Sequence, residues 1–297
     1  MRLFQVSALA AVLVLAACKK EEVAKPETKS GPPATGEAPM FTKKAPVANQ
    51  KAEETSKMKL GLTLDIDPTG SGKTVSTKMD STQSETREEE VLAVAGDAIT
   101  KMKVTYASLD SSMNDGTKDT KTPDPRAGKT YVVDAKDGKV EILGEDGKPT
   151  VPVEATMVEK DYHRLGKPDP IAAALPTRTL KAGESVPELA DAIKAMLKES
   201  GGGKEMDVSD VSATFKEKSG DEGVFDIGVT LGKTEGPMKM SMPLKGELHV
   251  RTTDGQMASM KLAGPVSVTT NDSDPKNKVK ITGKGNMELE AARKAKS

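Results

Sequence analysis

The sequence has few of the residues that usually carry chemistry or cross-link a fold. Among 297 residues there is one cysteine, no tryptophan, two histidines, three tyrosines and four phenylalanines. A single cysteine excludes an intrachain disulfide, so a domain must be stable through burial alone. Scarce aromatics argue against stacking platforms for single-stranded nucleic acid, and a formal net charge of -1 leaves no basic field for a duplex.

The chain opens with an apolar run. Arg2 supplies a positive charge, and residues 3–14 are almost continuously apolar, a stretch too short to span a bilayer as a permanent helix. Leu15-Ala16-Ala17-Cys18 follows. This segment resembles the lipobox of bacterial lipoproteins, in which the cysteine thiol receives a diacylglyceryl group and becomes the mature N-terminus. The resemblance implies that residues 1–17 are a signal peptide and that lipid on Cys18 holds the protein to a membrane.

The residues after Cys18 bear on which membrane the protein occupies and on how far the folded domain can lie from it. Lys19 stands where the family's inner-membrane retention signal in enteric-type bacteria is an aspartate, which implies a lipid-anchored envelope protein, at the outer membrane in preference to the inner one. Residues 18–57 are rich in Lys, Glu, Pro, Ala and Thr, so we expect a disordered linker. Fully stretched, such a linker reaches about 130 Å at about 3.3 Å per residue.

From Met58 the sequence alternates between apolar and polar residues, which predicts half-buried strands up to residue 290, followed by a tail at 291–297. The longest alternation runs from Met238 to Val250. Asp137-Gly138 is a strong hairpin signal, because a two-residue turn needs positive φ at both positions. Asp254-Gly255 and Gly96-Asp97 are further predicted turns.

The only helical sequence lies at 166–203, between two β-rich halves at 58–165 and 204–290. Asp169-Pro170 predicts a short capped turn, and Ser185-Val186-Pro187-Glu188 predicts the start of an amphipathic helix. The fold class is therefore mainly β (α+β) and antiparallel. Either a duplicated, curved sheet wraps one amphipathic helix, or two sheets stack as a sandwich.

Residues 58–290 resemble, in their order of strands and turns, an uncharacterised β-rich domain of bacterial lipoproteins of unknown function. The curved-sheet arrangement also resembles the half-barrel of periplasmic lipoprotein carriers. Neither resemblance implies a catalytic activity or a cofactor.

Two motifs suggest ligands. Residues 68–74 (PTGSGKT) look like the end of a phosphate-binding loop, but Asp67 replaces the first glycine and a β-prone stretch follows, so we interpret the segment as a hairpin turn. Met238, Met240 and Met242 share one side of a strand, as soft ligands for Cu(I) would. Leu244 and Val250 continue the same side of the strand, which favours the alternative that the three methionines belong to the hydrophobic core.

Other polar residues form no catalytic constellation. His163 and His249 have no partners at triad or zinc spacing, and no G-x-S-x-G elbow occurs. Arg87 with Glu88, Glu89 and Glu90 is interpreted as a solvated strand end. We therefore expect no enzyme, no cofactor and no resident metal.

The leading functional hypothesis is a non-catalytic, membrane-anchored lipoprotein that binds a hydrophobic ligand or an envelope protein. Two alternatives stay open: a structural or assembly lipoprotein without a ligand cavity, and a Met-rich protein that handles copper. The sequence does not predict an oligomeric state, and it favours no nucleic acid as partner.

Overall fold

The computed structural model of the protein describes residues 40–67, 74–200, 206–235, 238–270 and 280–296. Its strands are β1 (Lys51–Asp67), β2 (Val75–Ala95), β3 (Ala98–Asn114), β4 (Asp119–Lys121), β5 (Thr130–Lys136), β6 (Lys139–Gly144), β7 (Glu184–Ser185), β8 (Asp207–Ser219), β9 (Glu222–Glu235), β10 (Met238–Arg251), β11 (Met257–Thr270) and β12 (Lys280–Lys296). Its helices are α1 (Pro152–Tyr162), α2 (Pro170–Ala174) and α3 (Pro187–Ser200).

The described strands form one sheet in which neighbours are antiparallel. The order is β6-β5-β3-β2-β1-β12-β11-β10-β9-β8-β7, and β4 pairs with the end of β3. The first and last strands therefore lie side by side in the middle, with one meander on each side. This confirms the mainly β, antiparallel prediction, whereas the predicted duplication and the sandwich are not confirmed.

The turns follow the glycine signals in the sequence. Asp137 and Gly138, between β5 and β6, have φ 52° and 75°, the left-handed backbone that a two-residue hairpin requires. Gly96, before β3, and Gly255, before β11, also have positive φ, at 62° and 73°. The predicted hairpins are confirmed.

The connection between the two meanders is helical, as predicted. α2 begins where the Asp169 carboxylate accepts hydrogen bonds from the backbone N–H groups of Ile171 (2.8 Å) and Ala172 (3.3 Å). α3 begins at Pro187, inside the predicted capping segment. Within the described residues, no helix combines the length and apolar character that a membrane crossing requires.

α1 lies within 58–165, where the alternating pattern predicts strands alone, so that prediction is wrong. The face that α1 buries consists of Glu154, Val158, Asp161 and Tyr162. Two of these four side chains are carboxylates. The buried face therefore lacks the apolar period by which a sequence reveals a helix.

The folded region begins earlier than predicted. Phe41 is 2% exposed and stacks on Phe225, with ring centroids 5.9 Å apart, and β1 begins at Lys51. The prediction of a disordered linker over 18–57 is therefore wrong for its last residues. One aromatic ring in a long polar segment gives no period, so the sequence pattern does not reveal that the segment folds back.

The folded region also ends later than predicted. β12 runs to Lys296, through most of the predicted tail at 291–297. Its last residues pair with 51–57 of β1 in an unbroken register. The sequence pattern does not predict this pairing, because Glu54 and Arg293 lie on the inward side, where an alternating strand usually has apolar residues. The two side chains form an ion pair with each other.

Two hydrophobic clusters hold the helices against the sheet. The larger cluster packs α2 and α3 against β1 and β8 to β12, and the smaller packs α1 against β2, β3, β5 and β6. Residues paired on neighbouring strands point to the same side of a sheet. The register of β1 with β2 therefore places both clusters on one face, which we call the inner face.

Glycines allow close approach between strands at three inner-face positions. A Cβ on Gly246 would lie 1.8 Å from the carbonyl oxygen of Lys261, and one on Gly285 would lie 1.9 Å from that of Gly61. A Cβ on Gly264 would lie 2.1 Å from the carbonyl oxygen of Pro243. No side chain fits at these distances, so β10, β11 and β12 each need glycine there.

Candidate binding face

The strands of the first meander are longer than the helix that covers them. β2 has 21 residues, or about 70 Å at about 3.3 Å per residue, whereas α1 has 11 residues and is about 16 Å long. The inner face beyond α1 carries half-buried apolar side chains, which we call the inner strip. Its members are Leu60 and Leu64 on β1, Met79 on β2, and Leu109 and Met113 on β3.

We call the inner side of β2 from Met79 to Gln83, which the inner strip borders, the trough. Ser81 on β2 lies opposite Leu60 on one side and Met113 on the other. Because serine is smaller than either neighbour, the side chains of β1 and β3 rise above it. The trough is apolar at its walls and polar on part of its floor.

At one end of the trough, three strands place charged side chains in a single row. Glu54 on β1 lies opposite Arg87 on β2 and opposite Arg293 on β12. Glu54 forms ion pairs with both guanidiniums, including a bond of 3.2 Å from Arg87 Nε. Arg87 is 1% exposed, so these charges lie in the interior.

Glu89 completes the row and connects it to α1. Its carboxylate lies 3.3 Å from Arg87 Nε and 2.6 Å from Arg293 Nη1. Tyr162 on α1 donates its hydroxyl hydrogen to Glu89 (2.7 Å), and the Arg87 guanidinium lies 5.2 Å from the centroid of that ring. The buried charges therefore bind a helix to the sheet.

A second buried network lies under the same helix. Tyr106 donates its hydroxyl hydrogen to Asp161 (2.6 Å), and Arg126 forms an ion pair with Asp161. The Arg126 guanidinium also binds Asp124 at 2.9 Å and lies 4.7 Å from the Tyr106 ring centroid. Tyr131 similarly donates to Glu154, at 2.7 Å.

A small recess opens between the ion row and the trough. It is lined by the small side chains of Ser56 and Ala291 and by the charged residues Glu54, Glu85 and Arg87. The other lining residues are Thr55, Ala292 and Met257. The recess has room for about one water molecule before it opens to solvent.

The carboxylates around the recess differ in electrostatic surroundings. Burial acts to raise the pKa of Glu54, but Arg87 and Arg293 together outweigh it and hold that pKa below the ordinary value. Burial raises the pKa of Glu85 to about 7, and the carboxylates of Asp161 and Glu54 act in the same direction. Arg87, at 3.2 Å, and Arg126 oppose this rise only in part. The Glu85 carboxylate is therefore the least compensated charge in the row.

Two charged residues of this row lie where the sequence predicts a solvated strand end. Arg87 and Glu89 are 1% and 2% exposed, so that prediction is wrong for both residues. The available signal is that Glu85, Arg87 and Glu89 alternate with period two and continue the buried line of Val91. Glu54 and Arg293 gave no comparable signal, because each lies in a segment that its composition assigns to linker or tail.

Several predicted site residues lie outside the described part of the chain. These are the signal peptide at 1–17, Cys18, Lys19 and the glycine-rich residues 68–73. Lipidation and the choice of membrane therefore remain predictions.

The three methionines proposed as copper ligands occupy different surroundings. Met242 is fully buried in the larger cluster, Met240 packs against that cluster half-buried, and Met238 is half-buried at the start of β10. Met242 therefore contributes to the core.

The two histidines are far apart in the chain and have unrelated partners. His163 Nδ1 lies 2.7 Å from the carbonyl oxygen of Lys160, while His249 Nδ1 lies 2.8 Å from Glu222 Oε2. Within the described ranges, no three His, Cys, Asp or Glu side chains converge as a metal site would require.

Comparisons with known proteins identify no family. No family model matches the chain, and no curated protein matches it. One matching solved structure concerns lipid-protein interactions in lipovitellin, with 8% identity and a TM-score of 0.33 over 83% of this chain. This chain spans about a quarter of the lipovitellin chain, at 25%.

Two further structures match at similar or lower levels. DynF from the dynemicin biosynthesis pathway of Micromonospora chersina has 10% identity and a TM-score of 0.20, over 92% of this chain and 93% of DynF. The translocator domain of autotransporter NalP from Neisseria meningitidis has 9% identity and a TM-score of 0.18, over 83% and 89%. Likenesses at these TM-scores carry no argument about this protein.

Proposed function

We propose that the chain is a non-catalytic lipoprotein of the cell envelope that binds an apolar ligand along the inner strip. The observation that carries this proposal is the overhang of β2 and β3 beyond α1, with half-buried Met79, Leu109 and Met113 on the inner face. Leu60 and Leu64 on β1 border this overhang and pack against the larger cluster. Contiguous apolar surface on a folded protein commonly marks a binding site. The stretch of β2 around Ser81, bordered by Leu60 and Met113, suits an extended hydrocarbon chain.

In this proposal, lipid on Cys18 anchors the protein to a membrane, the outer membrane in view of Lys19. Two or three acyl chains give essentially permanent attachment, since each buried CH₂ contributes about 0.8 kcal/mol. Radiolabelled palmitate should enter the mature chain, and a Cys18→Ala variant should leave the membrane fraction. A Cys18→Ala variant that still sediments with membranes would exclude this anchor.

Binding is favoured over catalysis because the buried reactive groups are bound to one another. Tyr106, Tyr131 and Tyr162 each donate a hydroxyl hydrogen to a carboxylate. Burial raises the pKa of all three phenols, so they stay protonated at neutral pH and are poor nucleophiles. The networks stabilise the fold beside the trough.

The test uses the full chain with Cys18→Ser, so that no attached acyl chain competes for the strip. A fluorescent fatty acid whose emission rises in apolar surroundings should bind saturably. Leu60→Lys places a charge in the trough and should weaken binding about tenfold. Thr63, exposed on the outer side of the same strand, provides the matched control, and Thr63→Lys should bind like the parent.

The proposal fails if the probe does not bind saturably, or if Leu60→Lys and Thr63→Lys weaken binding equally. Met79→Lys, on the trough floor, repeats the test on a second strand. Circular dichroism melting curves establish that each variant is folded before its affinity is compared.

A further inference from the structure

We infer that the recess beside Glu85 binds the primary ammonium group of an amphiphile whose hydrocarbon chain lies along the inner strip. The inference rests on the proposed function and adds the chemical class of the ligand, an amine-bearing lipid. Three features carry it: the charge balance of the ion row, the size of the recess, and its place at the end of the trough.

The ion row contains three carboxylates and two guanidiniums. Glu54 and Glu89 each form ion pairs with both guanidiniums. Glu85 forms an ion pair with Arg87 alone. The surplus negative charge is therefore concentrated on Glu85, one of the two carboxylates that line the recess.

The elements packed against Glu85 do not remove this surplus. From α1, Asp161 adds a further negative charge, and Tyr162 is neutral. Arg126 is the nearest additional cation, but Asp161 and Asp124 already bind its guanidinium. A buried carboxylate with too few partners gains from a proton or from a bound cation.

The recess admits a small cationic group. Its room for about one water molecule is closer to the size of an ammonium group than to that of a trimethylammonium or a phosphate group. Ser56 and Ala291, which have small side chains, line the recess together with Glu85.

The recess lies where the trough begins. Glu85 and Met79 are on the same face of β2, about 20 Å apart at about 3.3 Å per residue. Met58, Leu60 and Leu62 lie opposite that stretch on β1. Leu109 and Met113 lie opposite it on β3. An amphiphile with its amine in the recess would therefore place its chain against the inner strip.

The experiment compares three ligands that share a dodecyl chain: dodecylamine, dodecyltrimethylammonium and dodecanol. Each displaces the fluorescent fatty acid from the Cys18→Ser full chain at pH 8, below the critical micelle concentration. Dodecylamine should displace the probe at a concentration about tenfold lower than the other two. Its own amine stays charged, since the pKa of an alkylamine is about 10.

Variants of the recess separate its role from that of the trough. Glu85→Gln should abolish the preference for dodecylamine, while Glu88→Gln, exposed on the outer side of β2, should keep it. Ser56→Val fills the recess without altering its charge and should weaken dodecylamine but not dodecanol. Should Glu85→Gln fail to fold, Ser56→Val and a comparison at pH 6, where protonated Glu85 loses its attraction, decide the matter.

The outcomes distinguish the inference from the proposed function. Equal displacement by dodecylamine and dodecanol overturns the ammonium site while the apolar strip stands. Displacement of the probe by none of the three ligands counts against both. Equal potency of dodecylamine and dodecyltrimethylammonium, or blockage of dodecylamine by millimolar potassium chloride as effectively as by methylammonium chloride, shows a nonspecific cation effect and overturns the inference.

Discussion

Glu54 on β1 forms an ion pair with Arg293 on β12, although 239 residues separate them in the chain. The two residues lie opposite each other in the central pair of the sheet. Because Arg87 binds the other side of the same carboxylate, one glutamate connects the first meander to the last strand. The seam between the two hydrophobic clusters is therefore held together by buried ion pairs.

Glu54→Ala should destabilise the fold by about 3–5 kcal/mol, because it leaves two buried guanidiniums facing each other without their shared partner. Glu53 is the matched control, since it points outward and binds Lys296 at a partly exposed position. Glu53→Ala should change stability by less than about 0.5 kcal/mol. Urea unfolding followed by circular dichroism measures both, and equal values would contradict the role assigned to the row.

Glu85 should make stability fall as pH rises from about 4.5 to about 7. Its pKa is about 7 in the fold and near 4.5 in the unfolded chain, so the unfolded state loses its proton first. The loss is about 3 kcal/mol at most, since one pKa unit corresponds to about 1.4 kcal/mol. Glu85→Gln removes this contribution, so the difference between parent and variant unfolding curves over that window isolates it. A difference independent of pH would contradict the prediction.

Gly285→Ala should cost about 3 kcal/mol, because the new methyl group would collide with the carbonyl oxygen of Gly61. Gly232 offers a comparison within another strand, since a Cβ there would meet its nearest neighbour at 3.4 Å, an ordinary contact. Gly232→Ala should change stability by less than about 1 kcal/mol. Thermal unfolding of the two variants should show a lower midpoint for Gly285→Ala alone.

Phe41→Ala should cost about 3–5 kcal/mol, the usual loss for a buried aromatic ring. Phe41 is 2% exposed and stacks on Phe225, whereas nearby Val47 is 61% exposed. Val47→Ala should therefore be nearly neutral. Equal urea midpoints for the two variants would contradict the packing of Phe41 and would support the disordered linker that composition predicts for residues 40–50.

The sequence predicts the sheet wherever one face of a strand is apolar. β10 alternates from Met238 to Val250 without interruption, and Asp137-Gly138 specifies its own turn, so both were predictable. The order of the strands was not, because no local pattern records that β1 pairs with β12.

Most of the candidate site could not be predicted from the sequence, for a related physical reason. Arg87, Glu89 and Arg293 are charged residues on a buried face, where the usual pattern requires apolar ones. Such charges are buried because they neutralise each other in three dimensions, and that complementarity depends on strand register. The alternation along β2 alone predicts only that residues 85, 87 and 89 share one face of the strand.

Native mass spectrometry of the full chain, extracted from its own membranes, tests the binding claim most directly. The parent and Thr63→Lys should retain an amine-bearing lipid in addition to the acyl groups on Cys18, and Leu60→Lys should lose that lipid. Detection of no additional lipid on the parent, or equal retention by Leu60→Lys and Thr63→Lys, would contradict a ligand on the inner strip.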